Sequence, residues 1–262
     1  MQPAEQEEMQ TLFARFGFVP DPECPPQLLR AHTSLVYFLL RAFAAHPRAA
    51  VGLLSAVVEW YRRYDELAAA QPSEGVFATR AGRVHLRLAC RPGCNHCCHS
   101  PVSAVGAEAL TIAAYIAVNF SAAERAALDA RTEARARLQA GDRDHHALCP
   151  LNVDGRCQVY PVRPLNCRKW HSFDESACRR AFRDDDPTAE IPRASVRADA
   201  SGLIWQSAVA AFTAIGVDVS ELDLIPALQL ALHGDDVPAR FVAGEPVFAA
   251  ARRQVGEPPA SG

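Results

Sequence analysis

Residues 90–100 read CRPGCNHCCHS, which places Cys90, Cys94, Cys97 and Cys98 within nine residues, the last two adjacent. A wider set follows in Cys149, Cys157, Cys167 and Cys178. Thiolates are soft ligands that select zinc, copper(I) or iron–sulfur clusters, and short loops between them lower the entropy cost of gathering them around one centre. Structural zinc usually shows two separated pairs that close a tetrahedron. Adjacent cysteines point in different directions in either an extended or a helical backbone, so Cys97 and Cys98 fit a polynuclear cluster or two neighbouring sites better than one small ion. Cys24 stands alone, and burial as a small hydrophobe is its expected role. Cys178, closing HSFDESAC, reads equally as a ligand or as a buried thiol.

Histidines are the other donors. His96 and His99 lie inside or beside the first group, His145 and His146 just precede Cys149, and His171 follows Cys167. A lone histidine in a polar loop is more often solvated than ligated, so proximity singles out His96 and His171. In VYPVRPLNCR, Arg163 and Arg168 sit beside thiols, where positive charge favours ionised sulfur. The same residues also read as a helix begun by Pro164, with both arginines in surface ion pairs.

The elements that must position these residues are mostly helical. Leu35, Phe38, Leu39, Ala42 and Phe43 recur at helical spacing over 28–45, and Leu54, Val57, Val58, Tyr61 and Tyr64 repeat it after Pro47. Together they predict a helical hairpin stopped by AAAQPSEG. Alternation from Val84 to Leu88 predicts a strand that delivers the chain to Cys90, with His85 facing outward. AEALTIAAYIAV reads as a helix, and a capping box at Ser121 and Glu124 opens another to about residue 140, its mixed charges forming a solvated face. Asp154-Gly155 predicts a tight hairpin bringing Cys149 and Cys157 together. Trp205, Ala208, Val209, Phe212 and Ile215 mark a helix, and SELDLIPALQLAL supplies a last one over 220–232, stopped at Gly234.

The expected architecture is a mainly α, single helical domain with a short β-hairpin or strand framing a cysteine-rich metal site. Its regions are an N-terminal helical part (1–80), a cysteine-cluster metal-binding part (81–182), a C-terminal helical part (183–250) and a disordered tail (251–262). A chain of 262 residues with 49% hydrophobic composition builds its own core and does not need disulfides to fold. The net charge of -3 lacks the basic field of a nucleic-acid binder. The acidic start MQPAEQEEMQ is unlike a secretory signal, and no apolar run approaches the roughly 20 residues that span a bilayer. A cytoplasmic protein without membrane or nucleic-acid partners is therefore expected, and there nine cysteines argue for metal binding rather than structural disulfides.

Three segments in order, CRPGCNHCC, Glu108 in SAVGAEAL, and CPLNVDGRCQVYPVRPLNCR, resemble the YkgJ-type cysteine-cluster family, described as a zinc- or iron-chelating domain with a CxxCxxCC signature. The last segment is similar to that family's C-P-x-L-x-x-x-G-x-C-x-I-Y-x-x-R-P-x-x-C-R block. The likeness covers about a third of the chain. It departs in having three residues between Cys90 and Cys94 and in beginning C-P-L. The resemblance implies Cys90, Cys94, Cys97, Cys98, Cys149, Cys157 and Cys167 as metal ligands and supplies no reaction. Flagellin lysine methylase carries a similar motif and an iron–sulfur cluster, which favours iron.

Cys90, Cys94 and Cys97 also reproduce the CxxxCxxC spacing of radical S-adenosylmethionine enzymes. His96 stands where that motif usually has an aromatic, and the downstream helices do not suggest a repeated βα barrel. The expectation is thus a cluster or metal site on these eight cysteines, with an iron–sulfur cluster of [4Fe-4S] type or iron first, for redox, metal-handling or modification chemistry. Zinc is the alternative cofactor, folding a module that binds a protein partner through its helices. No acid–base or phosphate-binding set declares an enzyme activity.

Overall fold

The computed structural model describes residues 2–253 except 47, 72, 80–81, 140–146, 185 and 187. The chain is mainly helical. α1 (Pro3–Phe16), which no sequence pattern flagged, ends at Gly17 in the left-handed region (φ 66°) and buries Leu12 and Phe13. α2 (Pro26–Ala44) and α3 (Ala49–Ala69) form the expected hairpin. Its close approach depends on Gly52, where a Cβ would lie 2.4 Å from the Phe43 carbonyl oxygen. The buried stripe of α3 runs Leu53, Ala56, Val57, Trp60, Tyr61, Tyr64, at i, i+3 and i+4 spacing.

β1 (Glu74–Thr79) and β2 (Gly82–Arg87) pair antiparallel in register from Glu74 opposite Arg87 to Thr79 opposite Gly82. The single strand expected at 84–88 is therefore the second arm of a hairpin. Its first arm escaped notice because GVFAT is too short and glycine-flanked to declare a period. His85 is exposed as expected, 3.6 Å from Glu74. After the cysteine loop, β3 (Ser103–Ala104) leads into α4 (Gly106–Asn119) and α5 (Ala122–Gln139). Ser121 and Glu124 exchange the capping-box bonds, Ser121 N–H to the carboxylate at 2.7 Å and Glu124 N–H to the hydroxyl at 3.2 Å.

β4 (Asn152–Val153) and β5 (Arg156–Cys157) close the predicted Asp154-Gly155 turn, both turn residues at positive φ as a type I′ hairpin requires. Pro164 stands one residue before α6 (Leu165–Arg168) rather than in its first turn. α7 (Glu175–Phe182) follows, then α8 (Ser195–Ala214). The helix expected from Ser220 starts later. Leu222 and Asp223 form β6, which pairs with β3, and α9 spans Leu224–His233. α10 (Val237–Val242) is the last α-helix, a 3-10 turn over Ala249–Ala251 follows, and Arg253 N–H still donates to the Glu221 carbonyl at 3.1 Å. The tail expected to be disordered is thus held through its first three positions, and 254–262 lie outside the described residues.

One apolar cluster gathers α1, α2, α3 and α8 around Trp60, whose ring lies 5.8 Å from Trp205 and 5.7 Å from Phe212. A second gathers Ile112, Ile116, Leu128, Leu151, Val159, Leu224 and Leu228 from α4, α5, α9 and the β4–β5 region, with Cys149 and Cys157 packed against it. Among the described residues no helix is long and apolar enough to cross a membrane.

Candidate metal centre

The β1–β2 hairpin ends beside the segment before α7. Ala89 N–H donates to the Ser172 carbonyl at 2.9 Å, and Ser172 N–H points at Cys90 Sγ at 3.4 Å. Gly93, at φ 88°, turns the chain so that Cys94 N–H reaches the Arg91 carbonyl at 3.0 Å. A single 3-10 turn, His96–His99, then carries Cys97 and Cys98. The two cysteine segments meet here, where Cys149 N–H donates to the Cys98 carbonyl at 2.8 Å and Asn152 Nδ2 donates to Cys98 Sγ at 3.5 Å.

Cys97, Cys98, Cys149, Cys157 and Cys167 are thiols that share one electrostatic neighbourhood. Cys98 accepts a hydrogen bond from Cys97, the main cause that pulls it down to about 7, while Cys97 is driven upward by holding that proton. Burial pushes Cys149 up to about 12, with Cys98 and Cys157 adding to the rise. Cys157 is raised by burial, and Cys167 is held well above the thiol range by burial and then by Cys149, Cys157 and Cys98. Buried sulfurs that raise one another in this way ionise together only when a cation or cluster neutralises them.

Three charged side chains frame this thiol core. Arg135 is only 6% exposed, its Nε and Nη1 have no hydrogen-bond partner among the described residues, and it lies in the field of Cys149. The face of α5 expected to be solvated therefore turns a guanidinium inward, and its neighbour Arg131 donates to the Pro150 carbonyl at 2.8 Å. Arg168, expected as a charge beside thiols and in a surface ion pair, is 2% exposed, and with Arg163 it lies in the field of Cys157. It donates to the Arg163 carbonyl at 2.8 Å, to the Pro161 carbonyl and to Asp65, with its guanidinium 4.2 Å from the Tyr61 ring centroid. Arg163 stacks on Tyr160 at 3.7 Å. Glu108, fully buried, accepts from Leu165 N–H at 2.8 Å, Tyr61 OH at 3.1 Å and Val105 N–H at 3.1 Å. Burial lifts its carboxyl to about 6. Arg168 and Glu108 together fix α6, and with it Cys167, against α3 and α4.

Cys90, Cys94 and Cys178 border this core on the side of α7. Cys94, His96 and Glu175 present donor atoms all within 4.8 Å of one another, a group with the geometry to hold a metal ion. Among the described residues no other His, Cys, Asp or Glu group meets that spacing, so no three cysteine sulfurs do. Cys178 is buried one helical turn from Glu175, raised by burial and in the field of Cys90 and Cys94. His171 offers its carbonyl to Ala194 N–H at 3.2 Å and stands outside that group, and Cys24 is half-buried in the N-terminal segment. His145 and His146 lie outside the described residues. Sequence reasoning missed Glu175 and Arg135. The E-x-x-C spacing of Glu175 and Cys178 was a usable signal, since residues three apart share a helix face. Nothing in the sequence marked Arg135.

No protein-family model matches the chain, and no curated protein and no solved structure is significantly similar to it.

Proposed function

We propose that the chain is a metal-binding cysteine-cluster protein in which four of the inner thiols, drawn from Cys97, Cys98, Cys149, Cys157 and Cys167, hold an iron–sulfur centre of [4Fe-4S] type. The observation that carries this reading is the junction of the two cysteine segments at the 2.8 Å bond between Cys149 N–H and the Cys98 carbonyl, with Cys167 in the field of Cys98, Cys149 and Cys157 and Cys97 in that of Cys98 and Cys167.

Two further features support a cluster over a closed zinc site. Thiolates on one zinc, at about 2.3 Å from the metal, stand roughly 3.8 Å apart. No three cysteine sulfurs among the described residues lie within even 4.8 Å of one another, so the thiols are spread more widely than ligands on one zinc. Arg135 beside Cys149, its Nε and Nη1 without a partner among the described residues, also supplies positive charge where an anionic thiolate cluster needs it. The reading keeps the chain with the YkgJ-type proteins that its cysteine pattern resembles, acting in redox or modification chemistry.

The deciding experiment is anaerobic purification followed by iron, sulfide and zinc analysis with a visible spectrum. Iron and sulfide together with a brown chromophore are expected, bleached in Cys98→Ser and Cys149→Ser and kept in Cys24→Ser. A colourless protein carrying only zinc, or no metal, overturns the proposal.

A further inference from the structure

The outer group has a character of its own. Cys94 offers a thiolate, His96 an imidazole and Glu175 a carboxylate, a mixed sulfur, nitrogen and oxygen set that suits a borderline divalent cation. His96 is 8% exposed. Its Nδ1 is buried without a hydrogen-bond partner among the described residues, and its Nε2 faces Glu175 Oε1 at 3.3 Å. The ring is thus committed to the carboxylate it faces. α7 presents Glu175 and Cys178 one turn apart, and its Asp174 cap accepts from Ser176 N–H at 2.7 Å and Ala177 N–H at 3.1 Å, fixing the first turn.

We infer that Cys94, His96 and Glu175, with Cys178 beside them, form a separate station for one zinc-type divalent cation, distinct from the inner thiol centre. Three protein donors leave a coordination position open, the arrangement found where bound zinc meets water or a substrate rather than merely stapling a fold. A cation surrogate already sits there. Arg91 donates to both carboxylate oxygens of Glu175, one contact measuring 3.0 Å, so a cation loading the station competes with the guanidinium for the carboxylate charge. The inference does not depend on what the inner cysteines hold, because none of the three donors belongs to that set.

Cobalt(II), which occupies zinc sites and absorbs in the visible, is the probe. The full chain, purified anaerobically, is titrated alongside Glu175→Gln, His96→Ala and Arg91→Ala. One cobalt equivalent fewer is expected in Glu175→Gln and in His96→Ala, with loss of the thiolate-to-cobalt band. Arg91→Ala is expected to bind several-fold more tightly, since a competing positive charge is gone. Iron and sulfide content stays at the parent level in every variant. Glu175 is partly exposed, so Glu175→Gln keeps the test valid if His96→Ala fails to fold. Parental cobalt binding in Glu175→Gln overturns the station, and so does a joint loss of cobalt, iron and sulfide, which would make the two groups one centre. Protein that lacks iron and sulfide yet shows the Glu175-dependent equivalent retains the station and overturns the inner-centre reading alone.

Discussion

Arg135 is the residue whose placement makes least sense without an anion. A guanidinium 6% exposed, with two nitrogens lacking partners among the described residues, leaves buried polar groups unsatisfied at about 1–3 kcal/mol each. Protonated thiols offer it no compensating charge, whereas a thiolate centre does. Arg135→Met keeps the length of the side chain and removes the charge, so its effect should change sign with metal occupancy. The metal-free chain is expected to gain about 1–2 kcal/mol in denaturant unfolding. The loaded chain is expected to lose affinity for its centre, and any reduction potential should fall because the reduced state loses a neighbouring positive charge. Equal destabilisation of both forms would show that Arg135 is held by packing rather than by charge.

At the scale of elements, α7 is the short helix on which both metal regions border. Its eight residues are too few for intrinsic stability, so the Asp174 cap and contact with the 3-10 turn at His96–His99 must hold it. Asp174→Ala is expected to cost about 1 kcal/mol, read as a lower midpoint in thermal or urea unfolding. It is also expected to weaken cobalt binding at the outer group without changing iron or sulfide. Unchanged cobalt affinity would mean that the contacts of Glu175 with Arg91 and His96 position it without the cap. This is also the scale at which the sequence was least legible. The α2–α3 hairpin, α4, the capped α5 and the Asp154-Gly155 turn could be read because period, capping box and turn chemistry are local signals. α1, α7, α10 and β1 lack a long period, and β6 exists only because Leu222 and Asp223 meet Ser103 and Ala104, more than a hundred positions earlier. The eight cysteines stood out as chemistry, but their division into inner and outer sets depends on the fold. Glu175 joins Cys94 and His96 across some eighty residues, and the ion pair expected of Arg168 is buried at the guanidinium because its partner Asp65 lies 103 positions away on α3.

For the whole molecule, the helices and the cysteine segments are stabilised by different means. α2, α3 and α8 share the Trp60 cluster and need no ligand to bury it. The stretches 88–105 and 147–172 contain only short turns, two-residue strands and the four-residue α6, held by isolated hydrogen bonds and by the buried contacts of Arg168 and Glu108. A metal bound only by the native arrangement stabilises it by about 2.7 kcal/mol at a hundredfold excess over its dissociation constant. That free energy should be felt chiefly where ligation orders the backbone. Hydrogen exchange on the full chain, before and after anaerobic chelation, is therefore expected to show lost protection at the amides of Cys98 and Cys149 and around α6. The amides of α3 near Trp60 should exchange as before. Uniform loss across both regions would mean that the metal staples the entire fold, and no change anywhere would mean that the thiols are preorganised without it.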